Sequence, residues 1–291
     1  TPDDGKVKAV VQVVHGMAEY VERYEELAKY LTDRGILVTG EDHLGHGKSV
    51  SEGGTFGYFC EQDPATVVVR DVHRLKKITE EQYPQVPYII LGHSMGSFIA
   101  RNYLCRYGSG IGGAVIVGTG MQPAGLIFAS KAMAGIQKLF CGSKHVSHFM
   151  DKAAFGGYNK RIDSPRTSSD WLSRNTENVD RYIEDELCGF TFTVNGFQTL
   201  FELIRRLQKQ ENLEKVPQNL PILMVSGAED PVGDYGKGVH KACDSLKRAG
   251  VKNITVKLYE NDRHELLNED DAEVAMEDIW QWICKEIPGI A

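Results

Sequence analysis

Short apolar runs rich in β-branched residues alternate along this chain with longer stretches in which apolar residues recur every three or four positions. Residues 8–14, 36–39, 88–91, 113–117, 221–226 and 254–259 read as strands, 113–117 and 221–226 as buried ones, and 20–34, 65–83, 97–107, 236–249 and 270–286 as helices. Strands alternating with helices of this length predict a mostly parallel sheet with helices on both faces. In such a sheet a binding site lies at the carboxyl ends of the strands. The alternation stops between residues 121 and 216, where the helical stretches 124–140, 168–183 and 194–210 follow one another without a clear strand. The expected organisation is one core built from residues 1–120 and 217–291, with a helical insertion at 121–216.

Chemistry enters at the strand ends. Gly92-His93-Ser94-Met95-Gly96 falls between the strand at 88–91 and the helix at 97–107, which is the strand–turn–helix setting of a GxSxG nucleophile elbow. Ser94 also sits where an ordinary N-cap serine would. A serine hydroxyl is protonated at neutral pH and needs a neighbouring base before it attacks a carbonyl. His264 follows the last strand, and an imidazole titrates near neutrality, which suits that task. Asp230 closes the preceding strand in Gly227-Ala228-Glu229-Asp230-Pro231 and is placed to accept the other imidazole N–H; Glu229 and Asp234 are alternative acids beside it. Eight other histidines compete with His264. His15 and His93 read as backbone-position residues of their motifs, His145 and His148 fall in the insertion, and His73 and His240 lie on helices. At the end of the first strand, His15-Gly16-Met17 matches the start of a loop that lends a backbone N–H to an oxyanion hole, so the Met17 and Met95 amides are the expected donors. The order serine, acid, histidine points to a serine hydrolase.

Composition narrows the picture. With 291 residues, 42% of them hydrophobic, the chain can bury a large core without disulfides or metals. A net charge of −7 and the lack of any run of five basic residues argue against a nucleic-acid partner. The same charge disfavours tight docking on anionic membranes, while leaving room for a transient apolar contact with lipid through the insertion. Six scattered cysteines without a CxxC spacing give no metal site, and reduced, mostly buried thiols are expected. The loop 41–49 has metal-like residue types, but its glycines and Ser49 read as a tight structural loop. No metal and no cofactor is expected. No apolar stretch reaches the roughly 20 residues of a membrane-spanning helix, and no signal peptide is visible, so the expected location is cytoplasmic. The first strand begins within ten residues of Thr1, which suggests that a leading segment carrying edge strands is absent from this chain.

The motifs together resemble one family. His15-Gly16-Met17-Ala18-Glu19 followed by Arg23-Tyr24, Asp42-His43-Leu44-Gly45-His46-Gly47-Lys48-Ser49, the Ser94 elbow, Gly227-Ala228-Glu229-Asp230 and His264-Glu265-Leu266-Leu267-Asn268-Glu269 are similar to the monoacylglycerol lipase and lysophospholipase-like branch of the α/β-hydrolases. Asp170-Trp171-Leu172-Ser173-Arg174 and Asp185-Glu186-Leu187-Cys188-Gly189-Phe190 extend the likeness into the insertion. The chain departs from the family pattern at Tyr20, Ser97 and Glu186, none of them in the triad. The resemblance implies an α/β-hydrolase fold with residues 121–216 as a cap, and a catalytic triad of Ser94, Asp230 and His264 with oxyanion donors Met17 and Met95. It implies a carboxylic ester hydrolase acting on small single-chain acyl esters, monoacylglycerols foremost, with the apolar cap as a wall for the acyl chain. Lysophospholipids and short-chain esters are alternative substrates. Relatives on this fold also include aminopeptidases, for which Glu184, Asp185 and Glu186 would supply an acidic pair, and the fold has been reused for ligand binding without catalysis.

Overall fold

The computed structural model describes residues 1–2 and 5–290. In chain order the elements are β1 (Ala9–Val14), α1 (Glu25–Thr32), β2 (Ile36–Gly40), α2 (Pro64–Gln82), β3 (Tyr88–His93), α3 (Met95–Tyr107) and β4 (Gly113–Val117). Five helices follow before the next strand: α4 (Ala124–Cys141), α5 (His148–Phe155), α6 (Thr176–Glu184), α7 (Val194–Leu207) and α8 (Gln210–Leu213). The chain closes with β5 (Ile222–Gly227), α9 (Lys237–Arg248), β6 (Ile254–Tyr259) and α10 (Ala272–Glu286).

All strand pairs are parallel, in the order β2-β1-β3-β4-β5-β6. After β2 the chain crosses to the other side of β1. The connections therefore diverge at β1 and β3 and open a crevice between their carboxyl ends. Side chains alternate between the two faces, as the pleat requires. Ala9, Val11, Val13, Ile89 and Leu91 pack with Leu27 and Leu31 of α1 and Ile279 and Ile283 of α10. Val10, Val14, Ile90, Ile116 and Met224 face α2, α3 and α9 through Val72, Ile99 and Val239. Strands β1, β3, β4 and β5 are buried at every position, whereas edge strand β6 exposes Thr255 and Lys257.

Two stretches differ from the pattern reading. The helix expected at 168–183 is broken into a 3-10 turn, Asp170–Leu172, and α6. Buried Glu269 accepts the Ser173 hydroxyl and the backbone N–H groups of Arg174 and Asn175, and the Asn175 side chain caps α6 by accepting from the Asn178 N–H. These bonds hold residues 173–175 out of the helix and override its periodicity. Helix α5 was not anticipated; at two turns it is too short to display a period, and its signal is the Ser147 hydroxyl accepting from the Met150 N–H. All six cysteines are free, but only Cys188 and Cys243 are buried and Cys141 is exposed, so the expectation of mostly buried thiols is corrected. Among the described residues no helix is long and apolar enough to cross a membrane.

Candidate active site

Ser94 stands at the end of β3 with φ 54° and ψ −122°, a conformation that costs energy for any residue with a Cβ. The turn closes only because of its glycines. A Cβ on Gly96 would collide with the carbonyl oxygens of Val14 and His15, and one on Gly92 with the Gly96 carbonyl and Ala100. The Ser94 hydroxyl makes no capping bond to α3 although the residue occupies the N-cap position, so it is not spent on the helix. Ser97 braces the turn instead, its hydroxyl 2.5 Å from the Ser94 carbonyl and 2.8 Å from the Thr119 hydroxyl.

At the ends of β5 and β6 the structure brings Asp230 and His264 together, with Nδ1 3.0 Å from Oδ2. Asp230 is fully buried and also accepts from the Ser226 hydroxyl at 3.1 Å and the Val232 N–H at 2.8 Å. Three donors around one carboxylate fix its orientation toward the imidazole. Glu229 and Asp234 stay more than half exposed and face Arg263 and Lys241, each at 4.0 Å. Ser94, His264, Met17 and Met95 all line one cavity of about 780 Å3. Much of its remaining wall is apolar and comes from the segment between β4 and β5: Ile127 and Met133 of α4, Met150 and Phe155 of α5, and Trp171, whose ring centroid lies 5.1 Å from that of His264.

Under this cavity lies a buried polar network. Glu19 accepts the Gly16 N–H and the Tyr24 hydroxyl, so it sets the shape of the loop carrying Met17. Arg23 bridges Glu19 at 3.1 Å and Glu265 at 2.6 Å, and all three side chains are one-tenth exposed or less. Asn178 donates to Glu265 and accepts from Arg23, tying helix α6 to the histidine loop. Nδ1 of His93 lies 2.8 Å from the Tyr24 hydroxyl and 3.2 Å from Glu19, while Nε2 donates to the His264 carbonyl at 3.1 Å. His93 is therefore more than a backbone position of the elbow.

Burial by itself would raise the two carboxyls; the His93 hydrogen bond and the Arg23 charge outweigh it at Glu19, and Arg23 outweighs it at Glu265, so both end below the ordinary glutamate range. Burial would lower His93, and the bond to Glu19 raises it. Glu19, Arg23 and Glu265 fall within motifs of the sequence, and no motif marks them as partners. The available signal was a Glu–Arg pair four residues apart directly after a strand.

The loop 41–49 is structural, as expected. Asp42 accepts the Val21 and Lys48 N–H groups, and the His15 Nε2 accepts the His43 N–H. Burial lowers His43 to about 4 and His46 to about 3, so both are neutral. No cluster among the described residues can hold a metal ion. Glu184, Asp185 and Glu186 do not line the cavity; Asp185 instead accepts the Tyr20 hydroxyl at 2.8 Å.

A parallel sheet with a strained serine at the β1–β3 crevice, and a histidine–carboxylate pair on neighbouring strand ends, is the architecture of an α/β-hydrolase. Residues 5–271 match the family model Hydrolase_4, described as serine aminopeptidase, S33, and the chain belongs to that family. The chain is similar to the monoglyceride lipase of Mus musculus, 30% identical over 267 residues that cover 91% of this chain and 78% of the relative. It is 27% identical to the monoacylglycerol lipase of Mycolicibacterium smegmatis, over 99% of this chain and 91% of that one. Among solved structures, a thermostable carboxyl esterase from Bacillus coagulans in complex with glycerol superposes with a TM-score of 0.92 at 31% identity, covering 99% of this chain and 92% of the esterase.

Proposed function

We propose that the protein is a serine hydrolase that cleaves single-chain acyl esters, monoacylglycerols foremost, through an acyl-enzyme on Ser94. The observation that carries this reading is the strained serine with an uncommitted hydroxyl, in the same apolar cavity as the His264–Asp230 pair. With Nδ1 committed to Asp230, Nε2 of His264 is the nitrogen that takes the Ser94 proton as Oγ attacks the ester carbonyl. Asp230 holds the tautomer and stabilises the imidazolium. The amides of Met17 and Met95 receive the negative oxygen of the tetrahedral intermediate, each worth roughly a hundred- to a thousandfold in rate. His264 then returns the proton to the departing alcohol, and water releases the acyl group by the same steps. The apolar wall suits the acyl chain. Glu19, Tyr182 and Glu265, which line the same cavity, suit the glycerol hydroxyls.

In this reading residues 121–216 act as the cap. Phe128, Leu139, Phe140 and Phe149 on its outer side are exposed and suit a transient contact with a lipid surface, from which a monoacylglycerol would enter. The free thiols fit a reducing compartment, for which we propose the cytoplasm.

The test is fatty acid release from monoacylglycerols of increasing chain length, with short aryl esters alongside, by wild type and Ser94→Ala. Loss of about 10⁴-fold or more in the variant, with an optimum on medium or long chains, is expected. Full activity in Ser94→Ala would remove the nucleophile assignment, and activity confined to aryl esters would remove the lipid one.

A further inference from the structure

Arg101, on α3, is a buried cation without a counter-charge. It is 1% exposed, and its Nη1 donates to the Gly120 carbonyl at 2.9 Å and to the Thr119 hydroxyl at 3.3 Å. Nε and Nη2 have no hydrogen-bond partner, and no carboxylate among the described residues pairs with the guanidinium. Burial lowers Arg101 to about 10, so it stays protonated at neutral pH. A buried charge left unpaired weakens a fold, so stability does not account for it. Ser94, Ser97 and Arg101 are spaced three and four residues apart and share one face of the helix that starts at the nucleophile.

The hydroxyls between them form a chain with a fixed direction. Ser97 Oγ lies 2.5 Å from the Ser94 carbonyl oxygen and 2.8 Å from Thr119 Oγ1. A carbonyl has no proton to give, so the Ser97 proton points at Ser94. A guanidinium only donates, so Thr119 Oγ1 accepts from Arg101 and its own proton is the one that reaches Ser97. Every donor in the series Arg101, Thr119, Ser97 is thus turned toward the Ser94 carbonyl, with a full positive charge at the far end. All three side chains are buried, where hydrogen bonds in series polarise one another. The carbonyl they reach belongs to the same peptide group as the Met95 N–H, which opens α3 and has no partner within the helix. Drawing electron density toward the oxygen of a conjugated peptide makes its N–H a stronger donor.

We propose that Arg101, Thr119 and Ser97 are positioning residues of the oxyanion hole, a buried relay that polarises the Ser94–Met95 peptide and strengthens the Met95 N–H toward the negative oxygen of the tetrahedral intermediate. The relay rests on the reading of Ser94 as the nucleophile and of the Met95 amide as an oxyanion donor. It adds no bond-making step; the acyl transfer is the one already described, with its barrier lowered. Ser97 is one of the positions at which the chain departs from the family pattern, so the relay is a feature of this chain and not of the elbow motif itself. Polarisation of about 10–30% in a donor worth roughly a hundred- to a thousandfold amounts to about two- to eightfold in rate.

The test uses a soluble short-chain aryl ester and a trifluoromethyl ketone, which Ser94 converts to a tetrahedral oxyanion adduct. Ser97→Ala and Thr119→Val each remove one hydroxyl with little change in volume, so the fold is expected to survive, as thermal unfolding would check. Each is expected to lower kcat about fivefold with KM within about twofold, and to weaken ketone binding by the same factor as kcat/KM. The double variant should be no worse than the more severe single one, since either break interrupts the same relay. Thr119→Ser, which keeps the hydroxyl, should return kcat to within about twofold of wild type. Arg101→Met, which keeps both hydroxyls and removes the cation, should lose activity in the same range. The acid limb of the kcat/KM pH profile should stay in place, because the relay does not touch the base. Unchanged kcat in Ser97→Ala and Thr119→Val overturns the relay, and so does a loss confined to KM. A loss that arrives with a shifted acid limb also overturns it, by placing the effect on His264, whose ring lies against the neighbouring Gly118. Ser94-dependent turnover that these variants leave intact removes the relay alone; wild type that turns over no ester removes the hydrolase reading and the relay with it.

Discussion

Helices α7 and α4 lie side by side in the segment between β4 and β5 and are both rich in apolar residues, yet they use them in opposite ways. In α7, Val194, Phe197, Leu200, Leu203, Ile204 and Leu207 are all buried and join the cluster that includes α3 and the sheet. In α4 only Ile127 and Ala134 are fully buried, while Phe128 is 77% exposed and Leu139 and Phe140 are each 85% exposed. One helix spends its apolar surface on stability. The other divides it between the cavity wall and an exposed side, where it contributes little to folding. The charges repeat the contrast: Glu19, Arg23 and Glu265 are buried beneath the site, whereas the Lys131–Glu202 pair that joins α4 to α7 is partly solvated.

The comparison is broken most forcefully in α7. Phe197→Ala is expected to cost about 3–5 kcal/mol, read by denaturant or thermal unfolding, because the site is closed on all sides. A loss below about 1 kcal/mol would mean that α7 is as loosely seated as α4. Arg23→Met should cost a similar amount, about 3–5 kcal/mol, since it leaves two buried carboxylates without their cation. The sign of its pH dependence follows from the depressed carboxyls. Glu19 and Glu265 bind protons more weakly in the folded state, so their stabilisation is complete above the ordinary glutamate range and is lost as pH falls below it. The variant's deficit should therefore shrink in acid; a deficit equal at pH 3 and pH 7 would contradict the charge explanation.

Smaller effects are expected at the seam. Burial would raise Glu202, but hydrogen bonds from Arg205, Lys131 and Arg206 lower it to about 2. Its folded value is depressed, so its contribution is present above about pH 4.5 and disappears as pH approaches 2. With partly exposed partners the contribution is discounted to about 1 kcal/mol, and Glu202→Gln should show that loss near neutral pH and none in strong acid. Smallest in stability is Phe128→Ser with Phe140→Ser, expected to stay within about 0.5 kcal/mol of wild type. The same pair should bind neutral phospholipid vesicles about tenfold more weakly while hydrolysing a soluble aryl ester at the wild-type rate. Unchanged vesicle binding would leave the exposed side of α4 without a role.

The primary structure by itself determined what is local. The inner strands are short, mostly apolar runs and edge strand β6 alternates apolar with polar residues, and the elbow is recognisable because strand, glycines, serine and helix are contiguous. His264 and Asp230 are legible for the same reason, as polar residues that end strands. The tertiary structure alone decided which carboxylate faces His264, since Glu229, Asp230 and Asp234 share one loop and differ only in where the fold points them. It also decided the break at residues 173–175, whose cause is Glu269, and the buried network, in which Arg23 meets a partner 242 positions away. Whether the apolar residues of α4 and α7 are covered was likewise outside the reach of periodicity, which reports that a face is apolar but not what lies against it. The physical reason is common to all four. Backbone preference and side-chain period act over a few residues, whereas burial, pairing of charge and the filling of a cavity are properties of neighbours that only the folded chain brings together.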